Sequence, residues 1–161
     1  MKLTAKTDLE APLGFVYASL IDHVAWEREA AQRGVEVERP ADMPLTGIGA
    51  GWQIRAAFRG RLRKLLLRID DMVANDQVVF GLEGQSITGR TVLEVLALSP
   101  RRTRLRVVVE VKPKTLAARL FLNSLRLARG RVQGRFDKRV AQLGARIEDR
   151  HARSKTETSR G

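Results

Sequence analysis

The chain has 161 residues and carries 30 Lys and Arg against 18 Asp and Glu, a formal net charge of +12. Its length predicts one domain, and its 43% of hydrophobic residues excludes a chain that is disordered throughout. It has no cysteine, which excludes disulfide scaffolds, thiolate metal sites and cysteine nucleophiles, and its two histidines leave little for a zinc site.

The first predicted element is a half-buried strand over residues 2–9, because apolar and polar residues alternate there. Pro12 suits the first position of a helix, and apolar residues then recur at helical spacing as far as residue 22. A second short helix is predicted over residues 25–32. The N-terminal segment has no apolar run of the kind found in secretory signals, and no stretch approaches about 18 consecutive apolar residues. We therefore expect a soluble, cytoplasmic protein.

The middle of the chain is predicted to consist of strands joined by short turns. The clearest alternation begins at Trp52, directly after a loop over residues 40–51 that contains two prolines and three glycines. Gly60 interrupts this strand, and Asn75-Asp76 and Pro100 mark later turns. The predicted strands cover residues 35–39, 52–59, 61–73, 77–83, 87–98 and 102–111.

One long helix is predicted over residues 115–150, which no proline interrupts. At about 1.5 Å per residue it would be about 54 Å long. One apolar stripe runs along it, formed by Phe121, Leu125, Ala128, Val132, Phe136, Val140, Leu143 and Ile147. Further leucines in residues 116–128 predict that the first half is buried on most sides.

Three glycines, Gly130, Gly134 and Gly144, lie within the predicted long helix. They mark either a kink or close contact with another element, or else they are tolerated surface positions. Residues 151–161 contain almost no apolar side chain and are predicted to be a disordered polar tail. The domain is therefore predicted to span residues 1–150.

The order of these elements predicts an α+β fold. Consecutive strands joined by short turns form an antiparallel meander. Its apolar face needs cover, which a long amphipathic helix supplies. We therefore expect a curved antiparallel sheet wrapped around a long C-terminal helix, with one or two short helices after the first strand.

The sequence resembles the START-like, or SRPBCC, helix-grip superfamily, including its polyketide cyclase-like and coenzyme Q-binding-like members. The resemblance covers residues 1–150. The residues that carry it are Leu9-Glu10-Ala11-Pro12, Val16-Tyr17, Leu20-Ile21-Asp22, Trp26 and the Gly-rich loop before Trp52. It implies a hydrophobic cavity between sheet and helix that holds a lipid, quinone or polyketide-like molecule. It transfers no catalytic residue, because these differ between the branches of the superfamily.

A cavity is also expected from the residues themselves. Only 5% of residues are aromatic, and small residues such as Ala5, Ala56 and Ala97 lie on the predicted inner face. Small-molecule pockets are mostly apolar with a few polar groups. The predicted lining is Trp52, Ile54, Phe58, Leu67, Phe80, Leu93, Val107, Val109, Phe121 and Leu125. The alternative is that these side chains pack on one another as ordinary core. No metal or cofactor is expected.

A basic surface is the second candidate site. The last 61 residues hold 18 of the 30 cations. Arg102, Arg104 and Arg106 project from one face of the last strand, and Arg131 and Arg135 lie on the following helix. Either a GC-rich genome favours arginine codons, or the surface meets an anionic membrane or RNA. Because one branch of the superfamily contains ribosome-associated toxins, the resemblance also implies a possible ribosomal partner.

These observations favour binding of an apolar small molecule, with no assigned catalysis and an open oligomeric state. One alternative is a nucleic-acid or ribosome-binding module that uses the Arg-rich C-terminal third. The other is a cyclase- or dehydratase-type enzyme, which needs an ionisable group facing the cavity. His23 follows the first predicted helix and is a candidate for the cavity mouth. Helix C-termini also attract histidine for electrostatic reasons alone.

Overall fold

Seven strands and four helices make up residues 1–160, the part of the chain that the computed structural model describes. In chain order they are β1 (Lys2–Leu9), α1 (Leu13–Leu20), α2 (His23–Gln32), β2 (Glu36–Glu38), β3 (Gly51–Phe58), β4 (Arg61–Val73), β5 (Gln77–Gly84), β6 (Ile87–Ser99), β7 (Arg102–Pro113), α3 (Leu116–Leu127) and α4 (Arg129–Arg160). The strands form one sheet in the order β1-β7-β6-β5-β4-β3-β2, with antiparallel neighbours throughout. The predicted α+β helix-grip architecture is confirmed.

The strand register places the apolar residues on one face of the sheet. Trp52 lies opposite Leu67, and Leu67 opposite Leu82, so the alternation within each strand matches that of its neighbour. The register shifts between Ile69 and Asp71 on β4 and between Ala97 and Ser99 on β6. Bulges of this kind bend a strand and increase its twist. The sheet therefore has a concave apolar face, which the helices cover in part.

α4 packs along β1 at one end of the sheet. Val140 and Ile147, two members of the predicted apolar stripe, are buried in the same cluster as residues of β1 and β7. Gly144 lies so close to β1 that an added Cβ would be 2.8 Å from Cγ2 of Thr7, whereas Gly130 and Gly134 have no atom within 4 Å of that position. Close contact therefore explains Gly144, and the other two glycines are open surface positions.

The C-terminal helix is not continuous, which differs from the prediction. α3 ends at Leu127, and α4 begins at Arg129. The residue between them, Ala128, has a φ of −106° and a ψ of 27°, which depart from helical values. The first half is also not buried on most sides, because Leu116, Leu120 and Leu127 are exposed. The apolar periodicity runs on through both helices and therefore carries no signal of the break, although Gly130 lowers helix propensity beside it.

The structure has helix where a disordered tail was predicted. α4 continues through Arg160, and only Gly161 of the predicted tail lies outside the described residues. The hydroxyl groups of Ser154 and Thr158 donate hydrogen bonds to main-chain carbonyls one turn earlier, at 2.8 and 2.9 Å. The His151 ring also packs edge-on against Phe15, with centroids 4.8 Å apart. None of the helices within residues 1–160 is long and apolar enough to cross a membrane.

Candidate functional site

A cavity of about 620 Å³ lies between the concave face of the sheet, the corner formed by α1 and α2, and the C-terminal half of α4. Neighbouring strands β4, β5 and β6 each contribute one large apolar side chain to it. The helices complete an apolar lining. The apolar residues that border the cavity are Leu20, Ala25, Trp26, Leu67, Phe80, Leu93, Leu143 and Ile147.

Charged side chains that are 38–51% exposed border this cavity and mark the side on which it opens to solvent. Arg146, Arg150 and Arg153 follow one another at helical spacing on α4, so they share a face beside the apolar lining. Arg150 Nη2 lies 2.8 Å from Oδ2 of Asp22, and Arg146 Nη1 lies 3.8 Å from Oε2 of Glu29. The two ion pairs connect α4 to the α1–α2 corner across the opening. The hydrogen bond from Arg150 lowers the pKa of Asp22, although burial opposes the change.

A polar and aromatic cluster lies behind Trp26, at the α2 side of the cavity. The Trp52 indole N–H and Nε of Arg39 both donate to Oε1 of Glu27, at 2.6 and 2.7 Å. The Arg39 guanidinium lies 4.5 Å from the centre of the Trp52 ring. The centres of the Trp26 and Trp52 rings lie 4.8 Å apart. Burial alone would raise the pKa of Glu27, but the hydrogen bonds from Trp52 and Arg39 outweigh it and lower the pKa. The cluster therefore holds Trp26 in place as part of the cavity lining.

His23 belongs to this cluster and not to the end of the first helix. Asp22 caps α2 by accepting a hydrogen bond from the Ala25 main-chain N–H at 3.2 Å, so α2 begins at His23, two residues earlier than predicted. The imidazole is only 7% exposed, packs 4.7 Å from Trp52, and has no hydrogen-bond partner for Nδ1 among the described residues. Burial lowers its pKa, and the charge of Arg39 lowers it further. His23 is therefore a neutral side chain packed in the interior.

The ten predicted lining residues divide into two groups. Leu67, Phe80 and Leu93 border the cavity. The other seven, which do not, are Trp52, Ile54, Phe58, Val107, Val109, Phe121 and Leu125. Trp52 and Val107 are buried core residues, and Ile54 and Val109 pack against the core. For these four the alternative interpretation, ordinary core packing, describes their surroundings.

The break at Ala128 explains why Phe121 and Leu125 lie elsewhere. The prediction placed both residues on one helix with Leu143 and Ile147. In the structure they belong to α3, whereas Leu143 and Ile147 belong to α4. The Phe121 ring instead contacts Phe58 at the tip of the β3–β4 hairpin, with centroids 6.0 Å apart. The cavity is consequently formed by α4 together with the α1–α2 corner, from which the prediction had considered only His23.

The arginines of the predicted basic surface also fall into two groups, one paired with carboxylates and one without such partners. Arg102, Arg104 and Arg106 do project from one face of β7, but each is paired with a carboxylate. The pairs are Arg102–Glu10 at 2.8 Å, Arg104–Asp8 at 2.8 Å and Arg106–Glu94 at 3.3 Å. Arg131 and Arg135 are exposed on the first turns of α4 and form no ion pair within the described part of the chain.

Sequence reasoning missed the charged residues at the cavity opening. The spacing of Arg146, Arg150 and Arg153 beside Leu143 and Ile147 was a usable signal, since it places three cations along one edge of the apolar stripe. Their partners could not be found in this way, because Asp22 is 128 residues from Arg150 along the chain. Within residues 1–160, His, Asp and Glu side chains do not gather in a group of three that could hold a metal ion.

Comparisons with known proteins identify the fold. No protein-family profile and no curated protein sequence matches the chain. A solved structure from Thermus thermophilus is similar, with a TM-score of 0.65 and 17% identity over 96% of this chain and 99% of that one. The Zhui aromatase/cyclase of Streptomyces sp. R1128 is similar with a TM-score of 0.65 and 13% identity over 93% and 94% of the two chains. A START superfamily protein of Mycobacterium smegmatis has a TM-score of 0.51 and 15% identity over 85% and 97%. The chain therefore has the helix-grip fold of these proteins.

Proposed function

We propose that the protein binds a hydrophobic small molecule, of the lipid, quinone or polyketide-like class, in the cavity between the sheet and α4. The observation that carries the proposal is the cavity itself. Its volume of about 620 Å³ lies within the roughly 300–1,000 Å³ that small-molecule sites usually have. Its apolar lining supplies affinity by burial, at about 25 cal/mol per Å² before the costs of association.

The charges at the opening favour a ligand with a polar or anionic end. Asp22 and Glu29 each already have an arginine partner from α4. Arg28, Arg153 and Glu157 also border the cavity and form no ion pair within residues 1–160, so cations outnumber carboxylates by one among these three groups. The two guanidinium groups can donate hydrogen bonds to an anionic or carbonyl-bearing end of a molecule whose apolar part lies between Phe80 and Ile147.

Mass spectrometry of the freshly purified protein tests the proposal. The native mass is expected to exceed the denatured mass by a discrete amount, and solvent extraction should recover the corresponding apolar compound. If the ligand is lost during purification, titration with the apolar anion 1-anilinonaphthalene-8-sulfonate provides a second measurement of binding. Trp26 borders the cavity, so binding should also change the intrinsic fluorescence.

A matched pair of variants locates the bound molecule. Ala25→Phe places a large ring in the cavity, whereas Ala31→Phe adds the same ring to an exposed position of the same helix. The first change is expected to weaken binding of the dye at least tenfold, and the second to leave it unchanged. Equal binding by the two variants, together with no excess native mass, would overturn the proposal.

A cyclase- or dehydratase-type reaction is the second candidate, because one similar structure is an aromatase/cyclase. Such a reaction needs an ionisable group that faces the bound molecule. Asp22 and Glu29 border the cavity, but their arginine partners oppose a role as proton acceptor. Glu157 also borders it and forms no ion pair within residues 1–160, but its side chain is exposed to solvent and not buried against the lining. We therefore propose binding without an assigned reaction. Turnover of a polyketide-type substrate that is lost in Asp22→Asn would favour the enzyme instead.

The nucleic-acid alternative has less support at its predicted site. The carboxylate partners of Arg102, Arg104 and Arg106 reduce the charge that these arginines present to a phosphate. RNA affinity that falls steeply between 50 and 200 mM salt and is abolished in R102E/R104E/R106E would restore this alternative. The remaining partner class from the sequence is an anionic membrane surface.

A further inference from the structure

α3 carries leucines on the face that points away from the protein. Leu116, Leu120 and Leu127 are 70%, 60% and 93% exposed. Their spacing of four and seven residues places them in one row along the helix. The opposite side of the helix buries Ala118 and Leu122. α3 therefore has two apolar faces, of which only one is covered by this chain.

The segment of sequence that contains this leucine row is basic and contains no acid. The sequence has no Asp or Glu between Glu110 and Asp137, a segment with seven Lys and Arg that includes all of α3. A second acid-free segment, between Asp42 and Asp70, carries six. The two segments together hold thirteen cations, one more than the formal net charge of +12 of the whole chain. Arg68, Lys112 and Lys114 pair with carboxylates outside the two segments. The other ten cations form no ion pair within the described residues, so unpaired positive charge is concentrated in α3 and its neighbours.

The second segment includes the tip of the β3–β4 hairpin, which contacts α3. The Phe58 ring lies 6.0 Å from the Phe121 ring, and the Arg59 guanidinium lies 4.3 Å from the centre of Phe121. Phe58 and Leu62 of this hairpin are themselves 51% and 63% exposed. Apolar side chains and cations therefore occur together on two adjoining elements.

The cations of this surface differ from those of β7 in having no partner. Within the described part of the chain, Arg59, Arg61, Arg63, Arg119 and Arg126 form no ion pair with a carboxylate. Arginines on the solvent face of β7 are paired across strands instead. The full charge of α3 and the hairpin is thus available to an external anion.

We propose that α3 and the tip of the β3–β4 hairpin, here called the α3 docking surface, bind an anionic phospholipid bilayer. Exposed leucines flanked by arginines suit the boundary between headgroups and acyl chains, where the leucines enter and the guanidinium groups stay with the phosphates. A second copy of this chain is a poorer partner, because a symmetric contact would bring two surfaces of the same charge together. RNA would use the arginines but would leave the leucines in water.

An anionic membrane was one of the partners that the basic composition suggested. The α3 docking surface assigns the contact with this membrane to particular residues. It does not depend on the cavity, since none of the residues of the α3 docking surface borders it. Binding to a bilayer would nevertheless suit a protein whose proposed ligand is poorly soluble in water.

Vesicle flotation tests the proposal with two lipid compositions. The full chain is mixed with large unilamellar vesicles of phosphatidylcholine alone, or of phosphatidylcholine and phosphatidylserine at about 7:3. We expect binding to the anionic vesicles, weakened by salt, and little binding to the neutral ones. Equal binding to both compositions, or no binding to the anionic vesicles, would overturn it.

Two sets of variants separate the leucines from the charge. L116Q/L120Q/L127Q should weaken binding at least tenfold. L45Q/I48Q/L96Q, which changes three apolar residues elsewhere that are 68%, 59% and 60% exposed, should not. R119Q/R126Q should weaken it about 25-fold, at about fivefold per cation, whereas R90Q/R101Q should leave it unchanged. Circular dichroism would establish that each variant is folded.

Other results would point to other partners. RNA binding that survives in L116Q/L120Q/L127Q, without vesicle binding, would assign the surface to nucleic acid and contradict the proposal. Concentration-dependent dimers that the leucine variant abolishes, again without vesicle binding, would assign it to a second copy. The cavity variant Ala25→Phe should bind vesicles as the unmodified chain does, so failure of the cavity proposal can be distinguished from failure of this one.

Discussion

Replacing Gly144 by alanine should destabilise the protein, even though alanine is the better helix former. In an open helical position the change from glycine to alanine stabilises by up to about 1 kcal/mol. At Gly144 the added Cβ would lie 2.8 Å from Cγ2 of Thr7 and 3.5 Å from Cγ of Leu9. Thr7 is β-branched and lies within β1, so its methyl group has little freedom to move away.

The expected magnitude follows from these two opposing effects. Adding a methyl group to a well-packed contact costs about 1–3 kcal/mol. Subtracting the gain in helix propensity leaves a net destabilisation of about 1 kcal/mol. For a chain of this length that corresponds to a fall of about 2–4 °C in Tm. Gly134→Ala is the matched control, because nothing lies within 4 Å of its added Cβ, and it should stabilise by about 0.4–1 kcal/mol.

Calorimetry and urea unfolding of both variants measure the difference. Adding Thr7→Ser should restore stability to the Gly144 variant, since serine keeps the hydroxyl group and lacks Cγ2. The two changes should therefore be coupled by about the size of the steric cost. If Gly144→Ala stabilises the protein as much as Gly134→Ala does, α4 does not pack on β1 as described and the reasoning fails.

Two further predictions concern the cluster behind Trp26. Trp52→Phe removes the indole N–H that donates to Glu27 and leaves a smaller ring in a fully buried site. Urea unfolding should therefore show a loss of about 1–3 kcal/mol or more in the free energy of unfolding. A loss below about 0.5 kcal/mol would contradict the assigned hydrogen bond. His23 has a pKa below its ordinary value of 6.5, so the unfolded chain takes up a proton that the folded chain resists, and stability should fall as the pH drops below 6.5 towards the folded-state pKa. In His23→Phe this part of the pH dependence between pH 7 and 5 should disappear, and an unchanged profile would show that His23 is not buried in neutral form.

The strands were predictable because their signals are local. β4 has both of its predicted ends, since alternation and turn residues mark them independently. Arg59 and Gly60 both have positive φ, at 52° and 75°, as a two-residue hairpin turn requires. Asn75 has a φ of 57° in the next predicted turn, a conformation that asparagine tolerates better than most residues.

The cavity was predictable in kind but not in its residues. Alternation placed Leu67, Phe80 and Leu93 on the predicted inner face of the sheet, and these three side chains border the cavity. Which part of that face stays uncovered depends on where the helices lie, and the break at Ala128 changes this without changing the apolar period. The ion pair between Asp22 and Arg150 joins residues at opposite ends of the chain, and a single sequence does not indicate such pairs.

Arginine content alone does not separate a compositional bias from a binding surface, but the distribution of carboxylates does. On β7 the register places Asp8 opposite Arg104 and Glu94 opposite Arg106, and both pairs form. Cross-strand pairs of this kind contribute modestly to the sheet and need no external anion. By contrast, the segments 43–69 and 111–136, which include the tip of the β3–β4 hairpin and α3, contain no Asp or Glu. The exposed leucines of α3 lie among the unpaired cations of these segments. A composition bias towards arginine codons would account for the cations, but it would not place three leucines in one exposed row between them. That coincidence is the physical reason for assigning the partner surface to α3 and not to the arginines of β7.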